Sequence, residues 1–332
     1  MAENETPEMD AAEPDSGGPL SVFVTDGVSS IGLATVHAFT RAGHKVAAVV
    51  HTTDQADEIR ERGGLPIFVD LTRPSEIAGM IRMSKATILV NNASQKFNDL
   101  PFFEQSRDPQ ELREETHAIL EAAKLAAVEL LIHTSFVWLY RSGEGGLTHE
   151  ESPLSREKDG IIGVAKQAEA AVLHSDVPAT ILRAGFVYGP GSILLQKAAD
   201  AIQFGRYLIA GDDRALANWI HAEDLASAIL LVAENHVVGA VLNIVDDEPA
   251  SPDTFLGTLA ESIGLGGSIN RRPGLMAWLG INTVDDTLAR LAIRASNRKA
   301  RETLSWAPRY PSHREGIEQT QVSWRAAMAK QR

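Results

Sequence analysis

The sequence contains no cysteine, which excludes disulfide bonds, thiolate catalysis and cysteine-based metal sites. No apolar stretch approaches the roughly 20 residues that a membrane-spanning helix needs. Residues 1–19 have neither lysine, arginine nor an aromatic residue, so they do not resemble a secretory signal. These absences favour a cytoplasmic protein, and we expect no membrane partner.

The net charge is −13, and six of the acidic residues lie in residues 1–19. That stretch is also rich in proline, glycine and alanine, so we predict a disordered acidic tail over 1–19. An acidic surface repels a phosphate backbone, and we therefore expect no nucleic-acid partner. The rest of the chain is long enough for one large core with a smaller lobe.

From Leu20 onwards, short apolar runs alternate with amphipathic segments. The pattern predicts strands at 20–25, 45–50, 65–70, 86–91, 129–135 and 178–185, and helices at 31–42, 54–62, 72–83, 108–128 and 161–173. Continuous apolar strands separated by helices are typical of a parallel sheet that is covered on both faces. We therefore predict an α/β protein with a Rossmann-like doubly wound parallel sheet.

The dinucleotide-binding Rossmann domain is predicted to span residues 20–185. Beyond it the regularity weakens, and short strands at 219–221 and 241–245 mix with helices at 222–235, 253–263 and about 284–296. We predict that residues 186–332 form mainly a smaller C-terminal α/β lobe for the substrate. Some of its segments are expected to return to the Rossmann core.

The segment after the first strand has the position of a phosphate-binding turn, but not the usual three glycines. In one alignment Asp26, Ser29 and Gly32 take the glycine positions, which places a carboxylate near a diphosphate. In the alternative, which we favour because aspartate tolerates unusual backbone angles, Gly27 is the first glycine. The predicted nucleotide-binding residues are then Gly27, Ser29, Ser30, Ile31 and Gly32. A fold that has lost its nucleotide is a third interpretation.

The end of the second strand usually decides between NAD and NADP, because a carboxylate there binds the ribose of NAD. Here the sequence is Val50-His51-Thr52 and offers no carboxylate. His51 is a candidate neighbour of a 2′-phosphate, which slightly favours NADP over NAD. The sequence leaves open whether any dinucleotide is bound.

Six local strings, in the right order, resemble those of the extended short-chain dehydrogenases, the NAD-dependent epimerase/dehydratase family. They are VDLT at 69–72, NNAS at 91–94, LEAAKLAAVELLIHTS, ILRAGFVYGPGS, NWIHAEDLASAI and the carboxyl-terminal SNRKARETLSWAPRYPSHREGI. The resemblance covers about residues 20–320. It implies a Rossmann fold, a nicotinamide dinucleotide, and oxidoreductase or isomerase activity on a small or sugar-like substrate. It also implies that the cofactor contacts include Asp70, Leu71, Asn92, Ala93, Ser94, Gly185 and Val187.

In that family a tyrosine and a lysine lie four residues apart on one helix face and work with a serine or threonine. Lys166 matches the lysine, which also contacts the ribose, and Ser135 matches the serine. Ile162 stands at the tyrosine position, and it has no proton to donate. Tyr140, just past the fifth strand, is a candidate substitute acid, and His133 with Ser135 is a less favoured candidate nucleophile–base pair.

We therefore expect either non-standard or residual oxidoreductase or isomerase activity, or a non-catalytic dinucleotide sensor or scaffold. The partner is expected to be a small molecule, and no metal site is predicted. The arginine that pairs with a sugar nucleotide in the family is replaced by Ala217, followed by Asn218. Alanine-rich faces on the helices at 108–128 and 161–173 favour a homodimer.

Overall fold

The computed structural model describes residues 18–97, 108–141, 146–204, 208–209, 216–265, 270–271 and 293–330. Its strands are β1 (Ser21–Val24), β2 (Lys45–Val49), β3 (Leu65–Ile67), β4 (Ile88–Asn91), β5 (Leu130–Phe136), β6 (Ala179–Ala184), β7 (Phe186–Tyr188), β8 (Leu208–Ile209), β9 (Trp219–His221), β10 (Val241–Ile244) and β11 (Asn270–Arg271). Its helices are α1 (Ser30–Arg41), α2 (Thr53–Glu61), α3 (Pro74–Met83), α4 (Pro109–Ala126), α5 (Gly160–Leu173), α6 (Ile193–Gln203), α7 (Ala222–Glu234), α8 (Pro252–Ser262), α9 (Arg298–Leu304) and α10 (His313–Lys330).

Seven of these strands form one parallel sheet in the order β10-β6-β5-β4-β1-β2-β3. The chain runs outward from β1 through β2 to β3, and then returns to β4 on the other side of β1. This reversal opens a crevice at the carboxyl ends of β1 and β4, where doubly wound sheets bind ligands. The prediction of an α/β doubly wound parallel sheet is confirmed.

Alternate residues of each strand supply two separate apolar layers. Val22 and Val24 of β1 pack in the layer that contains Phe39 of α1 and the buried face of α7. Phe23 packs on the opposite side, in the layer that contains Ile81 of α3 and the buried face of α4. Covering both faces with helices explains why the strands read as continuous apolar runs.

The predicted sixth strand corresponds to β6, and a further short strand, β7, follows directly after Gly185. β6 stays in the main sheet, whereas β7 pairs with β9, Val187 lying opposite Ile220. At Gly185 the backbone of the segment before β9 comes so close that a Cβ atom would lie 2.8 Å from the carbonyl oxygen of Asn218. The third strand is also shorter than predicted, and Phe68 just beyond it is half exposed at this edge of the sheet.

Two predicted segments fall largely outside the described residues. The acidic tail at 1–19 is described only at its last two residues, and the helix at about 284–296 only at its last four. Those four residues are not helical, and Ala295 bridges to Thr148. Within the described ranges, no helix has both the length and the apolar character to cross a bilayer.

The alanine-rich faces of α4 and α5 are largely covered within this chain. Ala122 and Ala123 of α4 and Ala165 and Ala168 of α5 are at most 2% exposed, and the two helices pack against each other. Most outward positions of α4 carry charge or a polar ring, at Arg113, Glu114, His117, Glu121 and Lys124, whereas Leu125 near the end of the helix is half exposed. The homodimer stays a prediction.

Candidate functional site

The floor of the crevice is a buried hydrogen-bond network around Thr25, directly after β1. The Thr25 hydroxyl donates to Asn91 Oδ1 at 3.0 Å and accepts from the backbone amides of Asn92 and Ala93 at 3.1 Å. The Ser94 hydroxyl donates to the carbonyl of Thr134 at 2.7 Å. These bonds join the ends of β1, β4 and β5. The predicted cofactor residues Asn92, Ala93 and Ser94 are therefore buried parts of the strand joint.

The two glycines that the turn retains are both required by the fold itself. The Gly27 amide donates to the carbonyl of Val49 at 3.0 Å, and a Cβ atom at Gly27 would lie 2.8 Å from that of Ala48. A Cβ atom at Gly32 would lie 2.3 Å from the carbonyl oxygen of Asp26. Neither glycine has a positive φ. Close backbone packing thus explains both retained glycines, so their presence does not by itself indicate that a nucleotide binds.

Side chains take up several amides of the turn. Asp26 Oδ1 accepts from the amides of Val28 and Ser29, at 3.0 and 3.1 Å. The Ser29 hydroxyl accepts from the Gly32 amide at 3.1 Å and caps α1, as serine commonly does. Asp26 does not have a left-handed backbone, so the turn does not depend on the tolerance of aspartate for unusual backbone angles. It depends on the carboxylate, which accepts the two amide hydrogen bonds.

Two donors remain at the start of α1. Among the described residues, the amides of Ser30 and Ile31 have no acceptor. Adjacent free amides at a helix N-terminus match the oxygens of a phosphate group. The loop after β7 lies over the same place, since a Cβ atom at Gly191 would lie 3.0 Å from Ser30 Cα. These two amides fit the diphosphate of a dinucleotide.

The rim of the crevice carries the remaining predicted cofactor residues. His51 is exposed after β2, and its backbone amide donates to Gln55 Oε1 at 2.8 Å. The Asp70 carboxylate accepts from the backbone and hydroxyl of Thr72, at 2.9 and 2.7 Å, and these bonds lower its pKa. Leu71 is buried in the layer with α3, and Gly185 and Val187 are buried at the start of β7. Of this group only His51 and Asp70 present an exposed side chain.

Ser135 and Lys166, the two predicted catalytic residues, make separate hydrogen bonds in the structure. Ser135 is 1% exposed, and its hydroxyl donates to Glu169 Oε2 at 2.7 Å. Lys166 Nζ donates to the backbone carbonyls of Ser155 and Glu157, the latter at 2.8 Å. The lysine thus holds the loop before α5, whereas the serine, on β5, faces the buried side of that helix at Glu169.

Ile162 is 8% exposed and lies in an apolar cluster with Phe136 and Trp138. The isoleucine is therefore fully used as a packing residue.

Sequence reasoning missed the buried ion pair between Glu169 and Arg183. Arg183 Nε donates to both Glu169 oxygens, at 3.1 and 3.2 Å, and Nη2 also contacts Oε1. The side chains are 2% and 6% exposed. The available signal was one acid in the apolar stretch GVAKQAEAAV and one base in ATILRAG. Opposite charges in segments that are predicted to be buried are expected to pair.

Tyr140 belongs to the same network. Its hydroxyl accepts from Arg183 Nη1 at 2.7 Å and donates to Asn243 Oδ1 at 2.8 Å. Burial is the main cause that raises the pKa of Tyr140 to about 12. A phenol that is 2% exposed, and whose proton is already shared with Asn243, is a poor proton donor for a substrate.

His133 lies on the same strand face as Ser135. Burial lowers the pKa of His133 to about 4, although the nearby Glu169 carboxylate opposes that shift. Its Nδ1 lies 3.0 Å from Asn91 Nδ2. Because the Ser135 proton is directed to Glu169, the structure offers no hydrogen bond from Ser135 to this imidazole.

Comparison with known proteins identifies the family to which this chain belongs. Residues 22–245 match the family described as NAD dependent epimerase/dehydratase family. The chain belongs to that family. The match includes the main sheet, the turn at 25–32 and the whole Ser135 network. The prediction that the sequence resembles extended short-chain dehydrogenases is confirmed.

Two relatives of this epimerase/dehydratase family member are named reductases. A Streptomyces 3-diazoavenalumate denitrifying reductase is 24% identical, over 90% of this chain and 99% of its own length. A Stigmatella aurantiaca 4-hydroxy-2-methyl-3-oxo-4-farnesyl-3,4-dihydroquinoline-1-oxide ketoreductase is 26% identical, over 76% of each chain. Among solved structures, the Thermus thermophilus UDP-glucose 4-epimerase in complex with NAD superposes with a TM-score of 0.72 at 20% identity. That match covers 92% of this chain and 99% of the epimerase, and it shows the shared fold.

Proposed function

We propose that this chain binds a nicotinamide dinucleotide and reduces a small organic substrate without a proton from a protein phenol. The observation that carries the proposal is the pair of free amides at Ser30 and Ile31, placed at the crevice between β1 and β4. The reductase names of two relatives support a reductive direction. A bound reduced nicotinamide would supply the hydride.

We favour NADP over NAD as the dinucleotide. β2 ends without a carboxylate to receive a ribose hydroxyl. His51 is exposed there, and no hydrogen bond of its imidazole to a described residue competes with a 2′-phosphate. The preference is measured directly by titrating the full chain with NADPH and with NADH.

The acceptor we infer is one whose reduction requires no protein acid. Ile162 is a packing residue, Ser135 donates to Glu169, and the Tyr140 proton is held by Asn243. An arenediazonium cation meets this condition, because hydride plus the cation gives the arene and dinitrogen with no added proton. The Streptomyces relative is named for a denitrifying reduction of a diazo compound.

Ser30→Pro is a sharp test of binding. Ser30 is the first residue of α1 and Ser29 before it is extended, with φ −69° and ψ 171°. Proline is well tolerated at this helix position and removes the amide hydrogen together with the Ser30 hydroxyl, so Ser30→Ala, which removes the hydroxyl alone, is the control. We expect dinucleotide affinity to fall about ten- to a hundredfold, the value of one charge-assisted hydrogen bond, with thermal stability unchanged. Equal affinity in calorimetry would contradict the proposed site.

Turnover is then measured with an arenediazonium salt, an aromatic ketone and UDP-glucose. We expect NADPH consumption to match dinitrogen release with the diazonium salt, at a rate above that of the Ser30→Pro variant. Since diazonium salts also react with NADPH in solution, a reaction without protein provides the background. Lys166→Ala is expected to retain turnover, because Lys166 contacts loop carbonyls.

A second candidate is a non-catalytic sensor or scaffold. It is favoured by the separate engagement of Ser135 and Lys166, which leaves neither side chain free for a substrate. Micromolar dinucleotide binding without turnover on the panel would support a sensor. Absence of binding at millimolar dinucleotide would support a scaffold. The cytoplasmic location and the homodimer stay predictions, to be checked by cell fractionation and light scattering.

A further inference from the structure

The amides of residues 28–31 at the start of α1 divide into two pairs. Those of Val28 and Ser29 donate to the Asp26 carboxylate, and those of Ser30 and Ile31 have no acceptor among the described residues. A phosphate at the free pair therefore arrives beside a fixed negative charge. In the described part of the chain no lysine or arginine pairs with Asp26. No cationic side chain of the described residues therefore offsets the charge of this carboxylate.

We propose that Asp26 is a built-in anionic occupant of the phosphate turn that weakens diphosphate binding at this site. The inference rests on the proposed dinucleotide site and adds a residue that sets its affinity. Asp26 Oδ1 takes the amides that a phosphate oxygen would otherwise use. The carboxylate also repels the diphosphate across a partly solvated gap, where one unit charge changes a dissociation constant by about tenfold.

Two substitutions separate the charge from the hydrogen bonds. Asp26→Asn keeps a side-chain oxygen for the amides of Val28 and Ser29 and removes the charge. Asp26→Gly removes both, and so frees the two amides. Asp176→Asn is the matched control, because Asp176 is exposed between α5 and β6, at the amino ends of the strands and so away from the crevice. Thermal unfolding of each variant verifies that the turn still folds.

Calorimetric titration of the full chain uses NADPH and, separately, inorganic pyrophosphate. We expect Asp26→Asn to bind both about tenfold more tightly, Asp26→Gly at least as tightly, and Asp176→Asn like the unmodified chain. The gain should shrink as ionic strength rises, because salt screens the repulsion.

The outcomes distinguish this inference from the proposed function. NADPH binding that is equal or weaker in Asp26→Asn overturns the role of Asp26 and leaves the cofactor proposal standing. Tighter pyrophosphate binding without any NADPH binding upholds the role of Asp26 and removes the cofactor. No binding of either probe by any of the proteins overturns both.

Discussion

Replacing Glu169 with glutamine removes the partner of a buried guanidinium. Arg183 is 6% exposed and its Nε lies 3.1 and 3.2 Å from the two Glu169 oxygens. Glu169 and Tyr140 together accept most of the N–H groups of the Arg183 guanidinium. A glutamine at position 169 would accept fewer of these hydrogen bonds and would leave the positive charge unpaired in the core. Breaking a buried pair from one side costs about 3–5 kcal/mol, and we expect about 3 kcal/mol here, because the glutamine oxygen still accepts.

The loss is measured by chemical denaturation and by the melting temperature. For a chain of this size about 3 kcal/mol lowers Tm by roughly 4 °C. Asp57→Asn is the control, since its ion pair with Arg60 is exposed on α2 and surface pairs contribute at most about 1 kcal/mol.

A double variant that removes both charges tests whether the loss of stability comes from the unpaired charge of Arg183. Glu169→Leu combined with Arg183→Met leaves no unpaired charge, so we expect the double variant to recover most of the loss of Glu169→Gln. A loss below about 1 kcal/mol for Glu169→Gln, or a double variant less stable than the single one, would refute the assignment of a tightly coupled buried pair.

Three further predictions concern the neighbouring positions. Ile162→Tyr is expected to lower the free energy of unfolding by about 1–3 kcal/mol through overpacking, and Ile161→Tyr, at a less buried position, should lower it less. Ile162→Tyr should restore no proton transfer, because Lys166 and Ser135 hydrogen-bond to other groups, and a gain of turnover in this variant would contradict that expectation. Lys166→Met should speed amide exchange around Ser155 and Glu157, at a cost of about 1 kcal/mol, whereas Lys158→Met should not. Burial lowers the pKa of His133 to about 4 from an ordinary value of 6.5, so the unfolded chain binds a proton that the folded chain does not. The free energy of unfolding should therefore fall by roughly 3 kcal/mol as pH falls from 6.5 towards 4. In urea titrations His133→Gln should flatten that part of the pH profile, and an unchanged profile would contradict the burial argument.

The sheet could be predicted because its signal is local. Runs such as KVAAVV and ATILVN are apolar at every position, and the helices between them leave only a parallel sheet covered on both faces. Strand ends were less predictable. Val50 and Phe68 continue the apolar runs beyond β2 and β3, and the Val50 amide still donates to the Ile67 carbonyl at 2.9 Å, so apolar character alone does not mark where a strand ends.

The candidate site was less predictable for a related reason. The sequence identified the turn at 25–32, the serine at 135 and the absent phenol at 162, since these are residue identities at fixed spacings. It did not indicate that Asp26 would hold the amides of Val28 and Ser29. A short polar side chain has several partners within reach, and backbone geometry chooses among them.

By itself, the sequence determined the alternation of buried strands with amphipathic helices, the family, and the fact that an aliphatic residue stands at position 162. Only the tertiary structure decided what the polar groups do. Ser135 and Glu169 lie 34 residues apart, and Tyr140 and Asn243 are 103 residues apart. Apolar burial follows a periodic pattern that neighbouring residues share, whereas a hydrogen bond requires two particular atoms within about 3 Å, and their meeting depends on how distant parts of the chain pack.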